Sequence, residues 1–189
     1  MEQTINECLK VLRAGGVILY PTDTVWGLGC DASNPAAVRR IFEIKRRGDA
    51  KSLVLLAADV DMVARYVKSL PEMALQLIEV NDRPMTLVYP EAERALLAEG
   101  TVAEDGSVGI RIPQMEFCQK LTYKLGRLLV STSANVSGAP TPRKFSEIPQ
   151  EIKDAVDYVA DPSLESGATG LASQIIKVGM NGEIKIIRA

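Results

Sequence analysis

Three segments of this 189-residue chain carry side chains that could grip a polyanion. The first, Pro21-Thr22-Asp23-Thr24-Val25-Trp26-Gly27-Leu28-Gly29, follows a short apolar run, and open α/β sheets commonly present ligands just beyond a strand. Extended backbone alternates its side chains, so Thr22 and Thr24 share one side and Asp23 takes the other. Two hydroxyls then face one ligand, although the same residues also suit a turn-rich connection around a buried Trp26. The second segment is Lys45-x-Arg47-x-x-x-Lys51. In a continuous helix Lys45 and Arg47 diverge by about 200°. Gly48 predicts that the helix ends there and the chain extends, which brings both cations to one side, an arrangement suited to a triphosphate. The alternative is that cations at a helix C-terminus merely offset its dipole, worth about 0.3–1 kcal/mol. The third segment is Ser131-Thr132-Ser133-Ala134-Asn135. Extended geometry aligns Ser131, Ser133 and Asn135 as neutral donors and acceptors for phosphate, ribose or carboxylate. Ser and Asn after a strand also form turns and caps.

Composition removes several mechanisms. With no histidine there is no Ser-His-Asp or Cys-His couple, no histidine metal ligand and no imidazole shuttle. A serine nucleophile is further disfavoured because no G-x-S-x-G elbow is present. A P-loop is rejected, since Ala50 stands where glycine must precede Lys51 and the expected strand follows the loop. Cys8, Cys30 and Cys118 are odd in number and lack C-x-x-C spacing, which argues against a disulfide framework or zinc site and for a reducing compartment. Glu2, Glu7, Lys10 and Arg13 interrupt the first residues, so a signal core or spanning segment is not expected and a cytoplasmic location is. A formal net charge of −2 gives no global attraction to nucleic acid. A local patch of Arg39, Arg40, Lys45, Arg46, Arg47 and Lys51 nonetheless keeps an RNA-binding module as a rival reading.

The elements that must position these residues alternate in type. Thr4-x-x-Glu7 forms a capping box ahead of Ile5, Cys8, Leu9 and Leu12, predicting a first helix that Gly15 and Gly16 stop. Residues 17–20 read as a buried strand closed by Pro21, and residues 22–31 show no clear period. Asn34 with Pro35 starts a second helix, and Asp59 and Pro71 start two more. Strands are expected at residues 53–56, 85–89, 108–112, 128–130 and 158–160, with helices around Phe117, Leu121 and Leu125 and around Ile152. Residues 175–178 and 184–187, joined through Asn181-Gly182, predict a hairpin. The expected architecture is α/β: a single domain over residues 1–189, with a twisted, open, mixed sheet flanked by helices.

Taken in order, the three segments resemble the YrdC-like family of threonylcarbamoyl-AMP synthases. The likeness runs from about Gly15 to Val178 and includes V-G-I-R-I-P at residues 108–113 and G-L-A-S-Q-I-I near the end. The resemblance implies the family's open α/β sheet in a short, catalytic-domain-only form. It implies that Lys45 and Arg47 are catalytic, and that with Lys51, Ser133 and Asn135 they bind ATP. It assigns Thr22, Thr24, Arg111, Ser131 and Ser173 to the threonine side of one shared cleft. The chain departs from the family pattern at Trp26, where Tyr is usual, at Gly48 and Ser52, where prolines are frequent, at residues 81–84, and at Gln174.

The implied reaction uses L-threonine, bicarbonate or CO2, and ATP accompanied by Mg2+. The threonine amine forms a carbamate whose oxygen attacks the α-phosphate and expels pyrophosphate. The product would pass to downstream tRNA-modification enzymes; direct tRNA contact is left open. Such a step needs positioning and charge neutralisation more than a covalent nucleophile. Asp23 is a possible carboxylate for the metal, and no general base is named. Nearer rivals are an adenylating enzyme acting on carbamoyl phosphate and a paralogue handling another amino acid.

Overall fold

A computed structural model describes residues 1–46 and 53–189. Ile5, Cys8, Leu9 and Leu12 form the buried stripe of helix α1, Glu2–Arg13. The capping box is not used as expected: the helix starts earlier, with Met1 as N-cap, and Thr4 is buried within the first turn. Strand β1, Ile18–Tyr20, turns at the Pro21 corner into β2, Gly27–Gly29, which pairs with it antiparallel. The sequence gives no sign of β2, because three residues including two glycines carry no alternation. Glycine is needed there for space. A Cβ on Gly29 would lie 2.5 Å from Tyr20 Cε1 and 2.9 Å from the Val130 carbonyl. Tyr20 crosses at this point to donate its hydroxyl to Val130 O at 3.0 Å.

Asn34 caps α2, Pro35–Ile44, its side chain accepting from Ala37 N at 3.1 Å. The helix ends before Gly48, with Lys45 as C-cap and Arg46 following in the left-handed region at φ 49°. After β3, Val54–Leu56, come α3, Val60–Tyr66, and α4, Glu72–Val80, starting at Asp59 and Pro71 as the sequence indicates. Next are β4, Met85–Tyr89, β5, Val108–Arg111, and α5, Glu116–Leu125, which Gly126 terminates at φ 71°. The remainder is β6, Leu129–Ser133, α6, Gln150–Ala155, β7, Tyr158–Val159, and the expected hairpin of β8, Gln174–Val178, with β9, Ile184–Arg188.

The strands join one sheet in the order β7-β1-β2-β6-β3-β5-β4-β8-β9. β1 with β7, β3 with β5 and β4 with β8 are parallel, and the other neighbours are antiparallel. The α/β mixed sheet is therefore as expected, with more antiparallel pairing than the hairpin alone would give. Register sets the function of each face. Leu87 lies opposite Ile110, and with Ile78 of α4 and Gln119 of α5 they border a cavity of about 130 Å³ on the helix side. Thr86 lies opposite Arg111, so both belong to the other face.

Cys8, Cys30 and Cys118 are all buried and unpaired, and Cys118 Sγ donates to Pro21 O at 3.3 Å. Burial pushes the Cys8 thiol up to about 12 and raises the other two as well, which keeps them protonated and structural. Among the described residues no helix is long and apolar enough to cross a membrane. Replacing Gly29 by Ala forces Tyr20 and the β6 backbone apart. The expected outcome is a destabilisation of about 1–3 kcal/mol, read as a lower urea midpoint at unchanged slope.

Candidate active site

The corner between β1 and β2 fixes hydrogen-bond polarity as well as position. Thr22 Oγ1 donates its one proton to Val25 O at 2.7 Å and accepts from Thr24 N at 3.1 Å. The 2.8 Å contact between the two hydroxyls must therefore carry the Thr24 proton toward Thr22. Thr24, which lines a cavity of about 470 Å³, is left with lone pairs only and can receive a donor there. Thr22 stands behind it as the partner that sets this polarity.

Asp23 points the other way, as alternation requires, and is occupied. One oxygen pairs with Arg111 and the other accepts from Gln114 N at 2.9 Å. Both charged residues are almost fully buried, at 6% exposure for Asp23 and 3% for Arg111. Asp23 thus neutralises a guanidinium, which overturns its reading as a carboxylate for a metal. Arg111 comes from the end of β5 and also lines the cavity. Beside it Ser173 shares a 2.8 Å hydroxyl contact with Thr86, the residue opposite Arg111 in the sheet.

Arg188 of β9 also lines the cavity, donating from Nε to Ser173 O at 2.9 Å. Burial, and then the charge of Arg111, lower its pKa from the ordinary value, yet an arginine stays charged at neutral pH. Two guanidinium groups and one carboxylate leave this wall with one positive charge in excess, a setting for an anion. Sequence reasoning missed Arg188. It lies in a hairpin recognisable only as an element, and its approach to Arg111 depends on a β4 to β8 pairing across almost 90 residues.

At the far end of β6, Ser131 and Ser133 line the same cavity. Lys45 is buried and donates to the backbone carbonyls of Ser133 at 2.6 Å and Asn135 at 2.9 Å. Asn135 Nδ2 donates to Val136 O at 3.1 Å and Ala139 O at 2.8 Å, which fixes the orientation of the amide. Its Oδ1 is then buried without a hydrogen-bond partner among the described residues, an acceptor that a ligand donor would satisfy. The structure thus brings Thr24, Arg111, Ser131, Ser133 and Ser173 to one cavity, with Thr22 behind Thr24. It sets Lys45 and Asn135 together at the end of β6, outside the cavity lining. Arg47 and Lys51 lie outside the described residues.

Comparison with known proteins follows the same segments. A family model covering the Sua5, YciO and YrdC proteins, described as "Telomere recombination", matches residues 10–189. A protein of Stenotrophomonas maltophilia named threonylcarbamoyl-AMP synthase is 34% identical over 180 residues, covering 92% of this chain and 91% of the relative. One of the same name from Pseudomonas paraeruginosa is 36% identical over 156 residues, covering 82% and 83%. The P. abyssi Sua5 structure in complex with L-threonine superposes at TM-score 0.84 with 29% identity, covering 94% of this chain and 52% of the longer Sua5 chain. The chain belongs to the Sua5/YciO/YrdC family.

Proposed function

We propose that this chain is an L-threonylcarbamoyl-adenylate synthase, a nucleotidyltransferase that uses L-threonine, bicarbonate or CO2, and ATP. The observation that carries the reading is the pairing, on one cavity, of the Arg111 guanidinium with the acceptor-only hydroxyl of Thr24. A free amino acid offers the complement: a carboxylate for the guanidinium and an amine N–H for the hydroxyl. Relatives named for this reaction, and a related Sua5 in complex with L-threonine, support the choice of threonine.

In the reaction the neutral amine attacks CO2, forming the N–C bond and losing a proton to give a carbamate. A carbamate oxygen then forms a bond to the α-phosphorus of ATP, and the bond to the bridging oxygen breaks to release pyrophosphate. Arg111 holds the carboxylate, and Thr24 accepts from the nitrogen and so turns its lone pair away from the hydroxyl. Ser133 would present its hydroxyl toward the nucleotide, and Ser131 its own toward the threonine side of the cleft. The charge of Lys45 lies at the end of β6, where a phosphate beside Ser133 would meet it. Arg47 and Lys51 extend the set of cations proposed for the phosphates. Among the described residues the cavity lining contains no carboxylate to ligate Mg2+. Magnesium would enter as the counter-ion of the triphosphate, and no step above runs through it. The product, a reactive mixed anhydride, would be consumed in the cytoplasm by enzymes that modify an adenosine of tRNA.

Pyrophosphate release from ATP, measured with threonine and bicarbonate each omitted in turn, tests the reading. Turnover is expected to collapse in both omissions, and equal rates in all three reactions would reject these substrates. Thr24→Val should raise the threonine KM about three- to tenfold through loss of one neutral hydrogen bond, while Thr24→Ser keeps it near wild type. Lys45→Ala is expected to lower turnover by a factor on the order of 100. It should also lower the urea midpoint, since two carbonyls lose a donor.

A further inference from the structure

We infer that Glu165 is a positioning residue for the amino-acid half of the cleft, acting through Trp26. Its Oε2 accepts from Trp26 Nε1 at 2.7 Å and from Phe145 N at 2.9 Å. The Trp26 and Phe145 rings pack with centroids 4.9 Å apart, and the Lys153 ammonium lies 4.3 Å from the Phe145 ring centroid. One carboxylate oxygen therefore ties together three stretches of chain that are far apart in sequence. Trp26 belongs to the corner that carries Thr24. Phe145 ends the connection from β6 that carries Thr141. Glu165 closes the 3-10 turn Pro162–Glu165, just before the segment that leads to Ser173.

Each stretch contributes to the cavity wall: Thr24 and Trp26 from the first, Thr141 from the second, Ala172 and Ser173 from the third. Trp26 is only 1% exposed. Its indole packs against Phe145 and contributes only an edge to the cavity wall, and its N–H donates to Glu165. Downstream of Glu165 the chain runs beside the Thr24 corner, with Thr169 N donating to Asp23 O at 2.9 Å and Gly170 N to Thr24 O at 2.8 Å. The spacing between Thr24 and Ser173 is thus set from two sides, by this short backbone ladder and by the carboxylate tie behind it. Bonds that lock the supports of a binding group preserve its geometry, and displacements near 1 Å are costly to a site. Lys45 is held to the end of β6 by its own side-chain bonds, and the one backbone link from Trp26 to that end, Ala134 N donating to Trp26 O at 3.1 Å, does not depend on the indole N–H. Loss of the side-chain tie therefore acts on threonine more than on ATP.

This inference rests on the synthase reading, and the experiment separates the two. Threonine affinity is measured by calorimetry, and the threonine and ATP KM values by pyrophosphate release, for wild type, Glu165→Ala, Glu165→Gln and Trp26→Phe. Glu165→Ala is expected to weaken threonine about tenfold in both readouts, with kcat and the ATP KM within about twofold. Glu165→Gln, whose carbonyl oxygen can accept both N–H groups, should return threonine affinity to within about threefold of wild type. Trp26→Phe keeps a ring but removes one donor, and should weaken threonine in the same direction; it also serves as the test if the Ala variant does not fold. Wild-type threonine affinity in both Glu165→Ala and Trp26→Phe overturns the inference. So does a Gln variant as weak as the Ala variant, or an equal loss for threonine and ATP. Absence of threonine-dependent turnover in the wild type would instead count against the synthase reading itself.

Discussion

A guanidinium withdrawn from water must be neutralised, and the organisation of this cleft follows from how Arg111 meets that demand. Asp23 supplies the counter-charge, and Gln114 N occupies the second carboxylate oxygen. Breaking such a pair by removing one partner typically costs about 3–5 kcal/mol, because the other charge is stranded. The pair therefore fixes the distance between the Pro21 corner and the end of β5. With Asp23 committed to one side of the corner, Thr22 and Thr24 are directed to the other, and the Thr22 bond to Val25 O decides which way their shared proton points. Charge burial on one side of an extended segment thus sets hydrogen-bond polarity on the opposite side.

Much of this was legible in the sequence. Alternation at residues 22–24 separates the threonines from Asp23 correctly, and the caps at Asn34, Asp59 and Pro71 are found where turn and helix chemistry put them. Periodicity located the long amphipathic helices because burial along one stripe leaves a repeated mark. What the sequence withheld has physical causes. β2 is too short and too rich in glycine to show a period, and its glycines answer to Tyr20, a residue on another strand. Thr4 has the form of a cap but is buried in the helix, since the chain finds a start one turn earlier. The role of Asp23 depended on a partner 88 residues away. Arg188 and Glu165 were invisible for the same reason: each acts through contacts between segments that only the sheet order brings together.

Lys45 illustrates how a residue can satisfy two demands. A cation at the end of α2 suits the helix dipole, and the same ammonium reaches the carbonyls of Ser133 and Asn135. For Lys45, ending a helix and reaching the β6 backbone are compatible because α2 stops against the end of β6. The early stop, ahead of Gly48, is what turns the side chain inward rather than along the helix surface.

The position of β9 has a consequence for how binding and local stability are linked. It is one of the two edge strands, the more exposed of them, and it carries Arg188. Arg111 arrives already balanced by Asp23, so the surplus positive charge of this wall resides on the part of the sheet with the least covering. Edge elements of this kind open at a smaller free-energy cost than core strands. An anion held against Arg188 would therefore slow amide exchange along Ile184–Arg188 more than in the interior strands, making the fraying of the sheet's margin a direct gauge of occupancy.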